Sequence, residues 1–376
     1  MPSTADLLAG VERIAVLRAS RLGDFLFAVP ALEALRAAYP GAQIVLLGAD
    51  WHARLLTGRP GPVDRVVPVP VTRGVRDPRP GEEEDPAAVE EFAAAMRAER
   101  FDLAVQMHGG GRWSNPLVAR LGARHTLGLR APDAPPLERT LPYAWYQPEV
   151  LRCLELVGLV GARPVTLHPR LALVDADRVE AAAVLPGGDG PLVALHPGAC
   201  DPRRRWPPAG FAAVGDALAA QGARVLVTGS GDEAPVVKEV LTTMTHPALP
   251  VLDAVSIGGL AAVYARCDVL VANDTGPLHL AGAVGTATVA VYWAGNLINA
   301  GPMTRLRHRA HVSWTTRCPA CGAVLPEPEL PAEHHGRLCR HEDSWVSDVE
   351  PSAVVADAVD LIGPVLTRWE RSRNNP

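Results

Sequence analysis

At 376 residues the chain is longer than a single core usually grows, so two domains are expected, each able to bury a real core. A net charge of −5 and a pI near 6.2 leave no basic footprint, which excludes nucleic acid as the main partner. No apolar run reaches the ~18 to 20 residues that cross a bilayer, and 1–10 lack a signal-peptide pattern, so a cytoplasmic protein is expected, at most peripheral at the inner face of a membrane.

Arg13 to Ala19 reads as a strand, Ser20 to Gly23 as a tight loop, and Asp24 to Tyr39 as a helix in which Pro30 should mark a kink or the true start. Strands are expected at Ala42 to Leu47 and Val63 to Val69, the alternation of a parallel, helix-covered sheet. The stretch from Thr72 to Asp85 reads as a solvated loop, and Asp85 then caps a helix that carries Pro86 in its first turn. Phe101 to Met107 is a strand ending in the glycine-rich loop His108 to Trp113, while Ala131 to Pro148 reads as irregular. A helix from about Glu149 to Val160 leads into the passage between domains, and a short helix follows within Asp175 to Gly190. The alternation then restarts with strands at Leu192 to Leu195, Arg224 to Thr228, Val251 to Leu252, Asp268 to Ala272 and Thr288 to Tyr292, helices between them, and a last helix from about Pro351 to Trp369.

Four loops after predicted strands carry the candidate chemistry. In Asn273-Asp274-Thr275-Gly276-Pro277-Leu278-His279 a sharp turn enters a helix, leaving backbone N–H groups aimed outward where phosphate is welcome. Asp274 and His279 add an acceptor and a titratable donor, although Asp274 and Thr275 can also be read as plain helix caps. In Ser20-Arg21-Leu22-Gly23-Asp24 the carboxylate of Asp24 heads a helix, where it is either a general base or an N-cap. His196-Pro197-Gly198 runs on to Arg203, Arg204 and Arg205 before Trp206, and guanidinium groups pair bidentately with phosphate oxygens. Thr228-Gly229-Ser230-Gly231-Asp232-Glu233 has the glycines of a nucleotide turn without a dinucleotide fingerprint, and offers Glu233 first and Asp232 second for ribose hydroxyls.

With Pro30-Ala31-Leu32 behind the first loop and Arg204-Arg205-Trp206-Pro207 closing the second, these motifs resemble, in order and over nearly the whole chain, the family 9 glycosyltransferases, the heptosyltransferases of lipopolysaccharide core assembly. The resemblance implies an α/β, GT-B-like fold, two Rossmann-like domains facing across a cleft. Residues 1–175 would form the acceptor-side domain, 176–350 the nucleotide-sugar domain and 351–376 a C-terminal helix packing back on the body. It implies an inverting transfer with no cofactor required for catalysis, from a nucleotide-diphosphate sugar, ADP-heptose foremost, to a hydroxyl of a glycan or glycolipid acceptor. On it Asp24 is the general base and Arg204 with Arg205 stabilises the departing diphosphate. Ser20, Gly23, Gly198, Gly229, Glu233, Asp274, Thr275, Gly276 and His279 then bind the donor. Two departures stand out: Arg21 replaces a hydroxyl residue of some members, and Val291 to Asn296 stands where many have a Phe-Gly turn.

A sugar-nucleotide epimerase or hydrolase, or a non-catalytic sugar-nucleotide-binding protein, would use the same diphosphate loops without an acceptor. Separate from them, Cys318, Cys321, Cys339 and His341 have the spacing of a closed structural zinc site, or are reduced thiols on a loop. Six cysteines do not make a disulfide framework in a chain this long, and Cys153, Cys200 and Cys267 read as small buried apolar residues.

Overall fold

The computed structural model describes residues 6–78, 81–185, 187–323 and 340–374, with side chains of the last helix described through Thr367. The chain divides into two compact units, Met1–Ala172 and Leu173–Pro376.

The first unit holds β1 (Arg13–Leu17), α1 (Leu22–Ala38), β2 (Gln43–Gly48), α2 (Asp50–Leu56), β3 (Arg65–Pro68), α3 (Pro86–Ala98) and β4 (Leu103–Gln106). It continues through α4 (Ser114–Arg120), β5 (His125–Arg130), β6 (Arg139–Pro142) and α5 (Glu149–Gly158). Its parallel sheet has the order β3-β2-β1-β4-β5-β6. The order reverses between β1 and β4, so the crevice beyond their carboxyl ends is where this sheet type binds ligands. Ile14 to Leu17 and all of β4 are buried, the near-continuous apolar runs that parallel strands covered on both faces require.

The second unit repeats the scheme with α6 (Asp175–Val184), β7 (Leu192–His196), α7 (Pro208–Ala219), β8 (Arg224–Gly229), α8 (Ala234–Thr243), β9 (Leu249–Leu252) and α9 (Ile257–Arg266). It closes with β10 (Val269–Asn273), α10 (Gly276–Ala283), β11 (Ala287–Trp293), α11 (Ala294–Ala300), β12 (His308–Ser313) and α12 (Pro351–Asn374). The order is β12-β11-β10-β7-β8-β9, again all parallel, with its reversal between β7 and β10. The helix α12 packs on α7 and puts Val354, Ala358 and Ile362 into the core of this unit. No helix among the described residues is long and apolar enough to cross a membrane.

Several expected elements need correction. The first helix begins upstream at Leu22 and runs through Pro30 rather than starting at Asp24. The stretch Ala131 to Pro148 contains β6, and β5, β12, α2, α4 and α11 were not anticipated. The three missed strands lie at or next to a sheet edge, and β6 and β12 stay half-buried with polar residues interleaved, so those two lack the apolar run of a central strand. Cys153 and Cys267 are buried as expected, but Cys200 is exposed, because it sits in the turn after β7 rather than on a packed face.

Candidate functional site

In the second unit the site grows from the ends of β7 and β10. Asn273, the last residue of β10, is fully buried and works as a staple. Its Oδ1 accepts the Trp206 N–H (2.9 Å) and its Nδ2 donates to the Pro197 carbonyl (2.8 Å), which ties the β7 loop to the β10 turn. Asp274 follows, itself only 3% exposed. His279 Nε2 lies 3.1 Å from its Oδ1, Asn296 Nδ2 donates to its Oδ2 at 2.6 Å, and Arg204 Nη1 stands 3.3 Å from the same oxygen. Burial alone would raise this carboxyl, but the hydrogen bond and charge of His279, the charge of Arg204 and the bond from Asn296 outweigh it and hold Asp274 below its ordinary value. It is therefore an anion at neutral pH, fixed by three donors.

Thr275 occupies the cap position of α10 without a side-chain cap bond, so the plain capping reading of Asp274 and Thr275 does not hold. Pro277 sits in the first turn and has no N–H, Leu278 (3.1 Å) and His279 (3.4 Å) donate to the Thr275 carbonyl, and the Gly276 N–H at the head of α10 has no intrahelical partner.

The three arginines divide their tasks. Arg203 is held by both oxygens of Asp201, and Arg205 Nε donates to the Ala199 carbonyl at 2.9 Å, so both brace the loop. Arg204 alone of the three reaches Asp274. Beside them Gly198 leaves room for Glu233: a Cβ there would lie 1.9 Å from Glu233 Oε1 and push the carboxylate aside. The same carboxylate takes the Ser230 N–H on Oε2 (2.9 Å) and sits 3.8 Å from His196 Nε2. Gly229 ends β8, with a would-be Cβ 2.8 Å from Val237 Cγ2, so the strand meets α8 closely. His196 is buried, bridges to Thr228 Oγ1 at 3.1 Å, and burial outweighs the nearby Glu233 charge to keep its imidazole below the ordinary value. Gly198, Gly229, Glu233, Arg204, Asp274, Thr275, Gly276 and His279 thus gather on adjacent loops at the switch point of this sheet.

In the first unit the corresponding position holds Arg18, Ser20, Gly23 and Asp24. Arg18 is nearly buried, and its guanidinium donates to the carbonyls of Asp24 (3.0 Å) and Met107 and lies 3.5 Å from both Asp24 Oδ1 and Glu149 Oε2. Burial alone would lower Arg18, but Asp24 and Glu149 reverse the sign and raise it. Asp24 lies in the first turn of α1 without capping it; the cap position is Arg21, and the Asp24 side chain is 42% exposed. Its carboxylate is thus open to a ligand while a buried guanidinium steadies it. The Ser20 hydroxyl is buried with no hydrogen-bond partner among the described residues. His108 Nδ1 accepts the Ala19 N–H at 3.3 Å, and burial with the Arg18 charge brings its imidazole down to about 4. Arg18 and Glu149 escaped the sequence reading as partners, since they come together only through tertiary contact; an arginine closing an apolar strand was the available signal.

A third group lies apart. Sγ of Cys318, Sγ of Cys321 and a ring nitrogen of His341 lie within 4.8 Å of one another, against about 3.8 Å for the ligand edge of a tetrahedral zinc with ~2.3 Å Zn–S bonds. The turn is closed by Cys318 N–H to Ala323 and Gly322 N–H to Cys318 (both 2.8 Å), with Gly322 at φ +72°. Cys339 lies outside the described residues.

The family profile of glycosyltransferase family 9 (heptosyltransferase) matches residues 89–321. The chain belongs to this family. Among curated relatives, the lipopolysaccharide heptosyltransferase 1 of Pseudomonas aeruginosa is 28% identical over 297 residues, 76% of this chain and 79% of that protein. The lipooligosaccharide heptosyltransferase 2 of Haemophilus influenzae is 22% identical, covering 74% and 82%. Among solved structures, a family 9 glycosyltransferase of Veillonella parvula superposes with a TM-score of 0.70 at 23% identity, over 82% of this chain and 87% of that one. The Escherichia coli ADP-heptose heptosyltransferase II gives 0.69 at 18% identity, over 96% and 99%. This family 9 member is accordingly a glycosyltransferase with a GT-B-like pair of α/β units.

Proposed function

We propose that this family 9 enzyme moves a heptose or related sugar from a nucleotide-diphosphate donor, ADP-heptose foremost, to a hydroxyl of a glycan or lipid-linked acceptor, with inversion. The observation that carries the proposal is the buried Asp274 anion, pinned by Arg204, His279 and Asn296 at the head of α10. A carboxylate held this way accepts hydrogen bonds from sugar hydroxyls, while Arg204 and the Thr275 and Gly276 backbone amides donate to the diphosphate oxygens. Glu233 takes the ribose, and Ser20 and Gly23 belong to the donor on the first unit's side. Asp24 takes the acceptor proton: the O–H bond breaks toward its carboxylate as the oxygen bonds the anomeric carbon and the bond to the diphosphate breaks. The leaving group departs as an anion whose charge Arg204 offsets, with Arg205 bracing the loop.

The named relatives act on lipopolysaccharide or lipooligosaccharide, which makes a lipid-linked core saccharide the leading acceptor and the cytoplasm, at most peripherally at the membrane, the place of action. The transfer needs no cofactor on this mechanism. Cys318, Cys321 and His341, with Cys339 as the fourth candidate, would hold a structural zinc that staples its loop and takes no part in the chemistry. A thermal-shift series with ADP-, GDP-, UDP- and dTDP-sugars and the free diphosphates tests the donor: ligands that bind only the folded state raise its apparent stability. A selective rise with ADP and ADP-heptose is expected, and no rise with any nucleotide would contradict the proposal.

A further inference from the structure

The backbone under Arg204 is a single 3-10 turn, Pro202–Arg204, capped by Asp201. Hydrogen bonds in such turns are poorly aligned, so one turn is a weak base from which to aim a long side chain. Its outside support comes from residues 344–349, and begins with Ser344, 139 positions beyond Arg205. We propose that Ser344 is a positioning residue for Arg204: its hydroxyl holds the turn in the orientation that points the guanidinium at the donor's diphosphate. The proposal rests on the donor reading above.

The Ser344 hydroxyl donates to the Arg205 carbonyl at 2.6 Å, and the Trp345 backbone N–H donates to the Arg203 carbonyl at 2.8 Å. The carbonyls of both neighbours of Arg204 are thus held from one segment. A third bond, from the Trp206 indole N–H to the Val349 carbonyl at 3.0 Å, closes the contact. The segment is itself anchored: Trp345, Val346 and Val349 are buried, and the Trp345 carbonyl accepts the Ser313 hydroxyl at 2.6 Å. Ser344 Oγ also accepts the Val346 N–H at 3.3 Å, which directs its own hydrogen toward Arg205.

Arg204 depends on this support. Among the described residues its guanidinium bonds only through Nη1 and only to Asp274, at 3.3 Å to the backbone carbonyl and 3.3 Å to Oδ2. Both distances are at the long end of the hydrogen-bond range, so they leave the aim of the guanidinium to the turn beneath it. Its remaining N–H groups are the ones a phosphate would engage, and a planar fork binds phosphate well only when it is correctly directed. Of the three bonds from the segment, the one from half-buried Ser344 is the only one whose segment-side partner is a side chain.

Titration calorimetry with ADP tests this on the wild-type chain, Ser344→Ala, Ser344→Thr, Arg204→Ala and the Arg204→Ala, Ser344→Ala double variant. ADP is carried to about 1 mM so that the weakest variant is still read. Ser344→Ala should weaken ADP binding about three- to tenfold, the worth of one neutral hydrogen bond. Ser344→Thr keeps the hydroxyl and should bind within about twofold of wild type. In the Arg204→Ala background the loss of Ser344 should change Kd by less than about twofold, because a residue that acts through Arg204 has nothing left to aim. Equal losses in both backgrounds would make Ser344 a support of the whole loop and overturn the proposal, as would unchanged affinity in Ser344→Ala or no recovery with threonine. A wild-type chain that binds no ADP would instead refute the donor reading, and the positioning role with it.

Discussion

Replacing Gly198 by alanine isolates the Glu233 carboxylate without touching its chemistry. The new Cβ would stand 1.9 Å from Oε1 and 2.2 Å from Cδ, distances no real contact tolerates. Because the clash falls on the far end of a flexible side chain, the carboxylate swings away and the backbone stays. The swing gives up the bonds from the Ser230 N–H (2.9 Å) and hydroxyl (3.2 Å), both exposed, for a cost of about 1–2 kcal/mol. At roughly 2–4 °C per kcal/mol for a unit of this size, the melting temperature should drop by no more than about 8 °C. Donor affinity should suffer more: a ribose hydrogen bond to a carboxylate is worth ~1.5–3 kcal/mol, a loss of about 10- to 150-fold in Kd for ADP. Titration calorimetry with ADP on Gly198→Ala and Glu233→Gln measures both, alongside a thermal melt. A variant that melts a few degrees lower yet binds ADP as tightly as wild type would show that Glu233 does not hold the ribose.

Asp274→Asn should cost stability and donor together, since an amide cannot satisfy Arg204, His279 and Asn296 at once; about 2–4 kcal/mol in urea unfolding is expected, and a change under 0.5 kcal/mol would contradict the pinned-anion geometry. Acid should weaken the first unit through His52, which is fully buried, stacked on Trp51, and pushed by burial and by the Arg18 charge down to about 3. Between that value and the unfolded ~6.5 the unfolded chain binds the extra proton, so stability rises with pH across the window and is lost as pH falls below ~6.5. The loss is about 2 kcal/mol at pH 5 from this residue, and urea unfolding of His52→Phe should show a shallower pH slope; an undiminished slope would refute the assignment. If the Cys318, Cys321 and His341 cluster holds zinc, the purified chain should carry about one equivalent by elemental analysis and Cys318→Ser should lose it with a lower melting temperature, whereas a metal-free native protein would argue against the site.

What was legible in the residues follows from what is local. Strands such as Leu192–His196 and Val269–Asn273 are buried along their whole length, so their apolar runs announce them, while β6 and β12 carry mixed residues at sheet edges and do not. The loops after β1, β7, β8 and β10 stand out in the sequence as candidate ligand loops because turn residues, carboxylates and arginines cluster within a few positions. The capping alternative for Asp24 and Asp274 was equally local and was decided only by geometry, since neither side chain caps its helix. Partners far apart in sequence stayed hidden: Asn296 reaches Asp274 across 22 residues, Arg18 meets Glu149 across 131, and Ser344 clasps Arg205 across 139. No periodicity encodes such pairs; only the folded chain brings them together.

The claim on which the rest depends is that Asp24 accepts the proton of an attacking hydroxyl while the second unit holds a nucleotide sugar. Single-turnover transfer from ADP-heptose to a lipid-linked core acceptor, run on wild type and Asp24→Asn with ADP affinity measured on the same preparations, tests it directly. The expected result is sugar transfer by wild type, a rate lower by at least about 10²-fold in Asp24→Asn, and ADP affinity within twofold of wild type in both. Transfer by Asp24→Asn at an undiminished rate would contradict the claim.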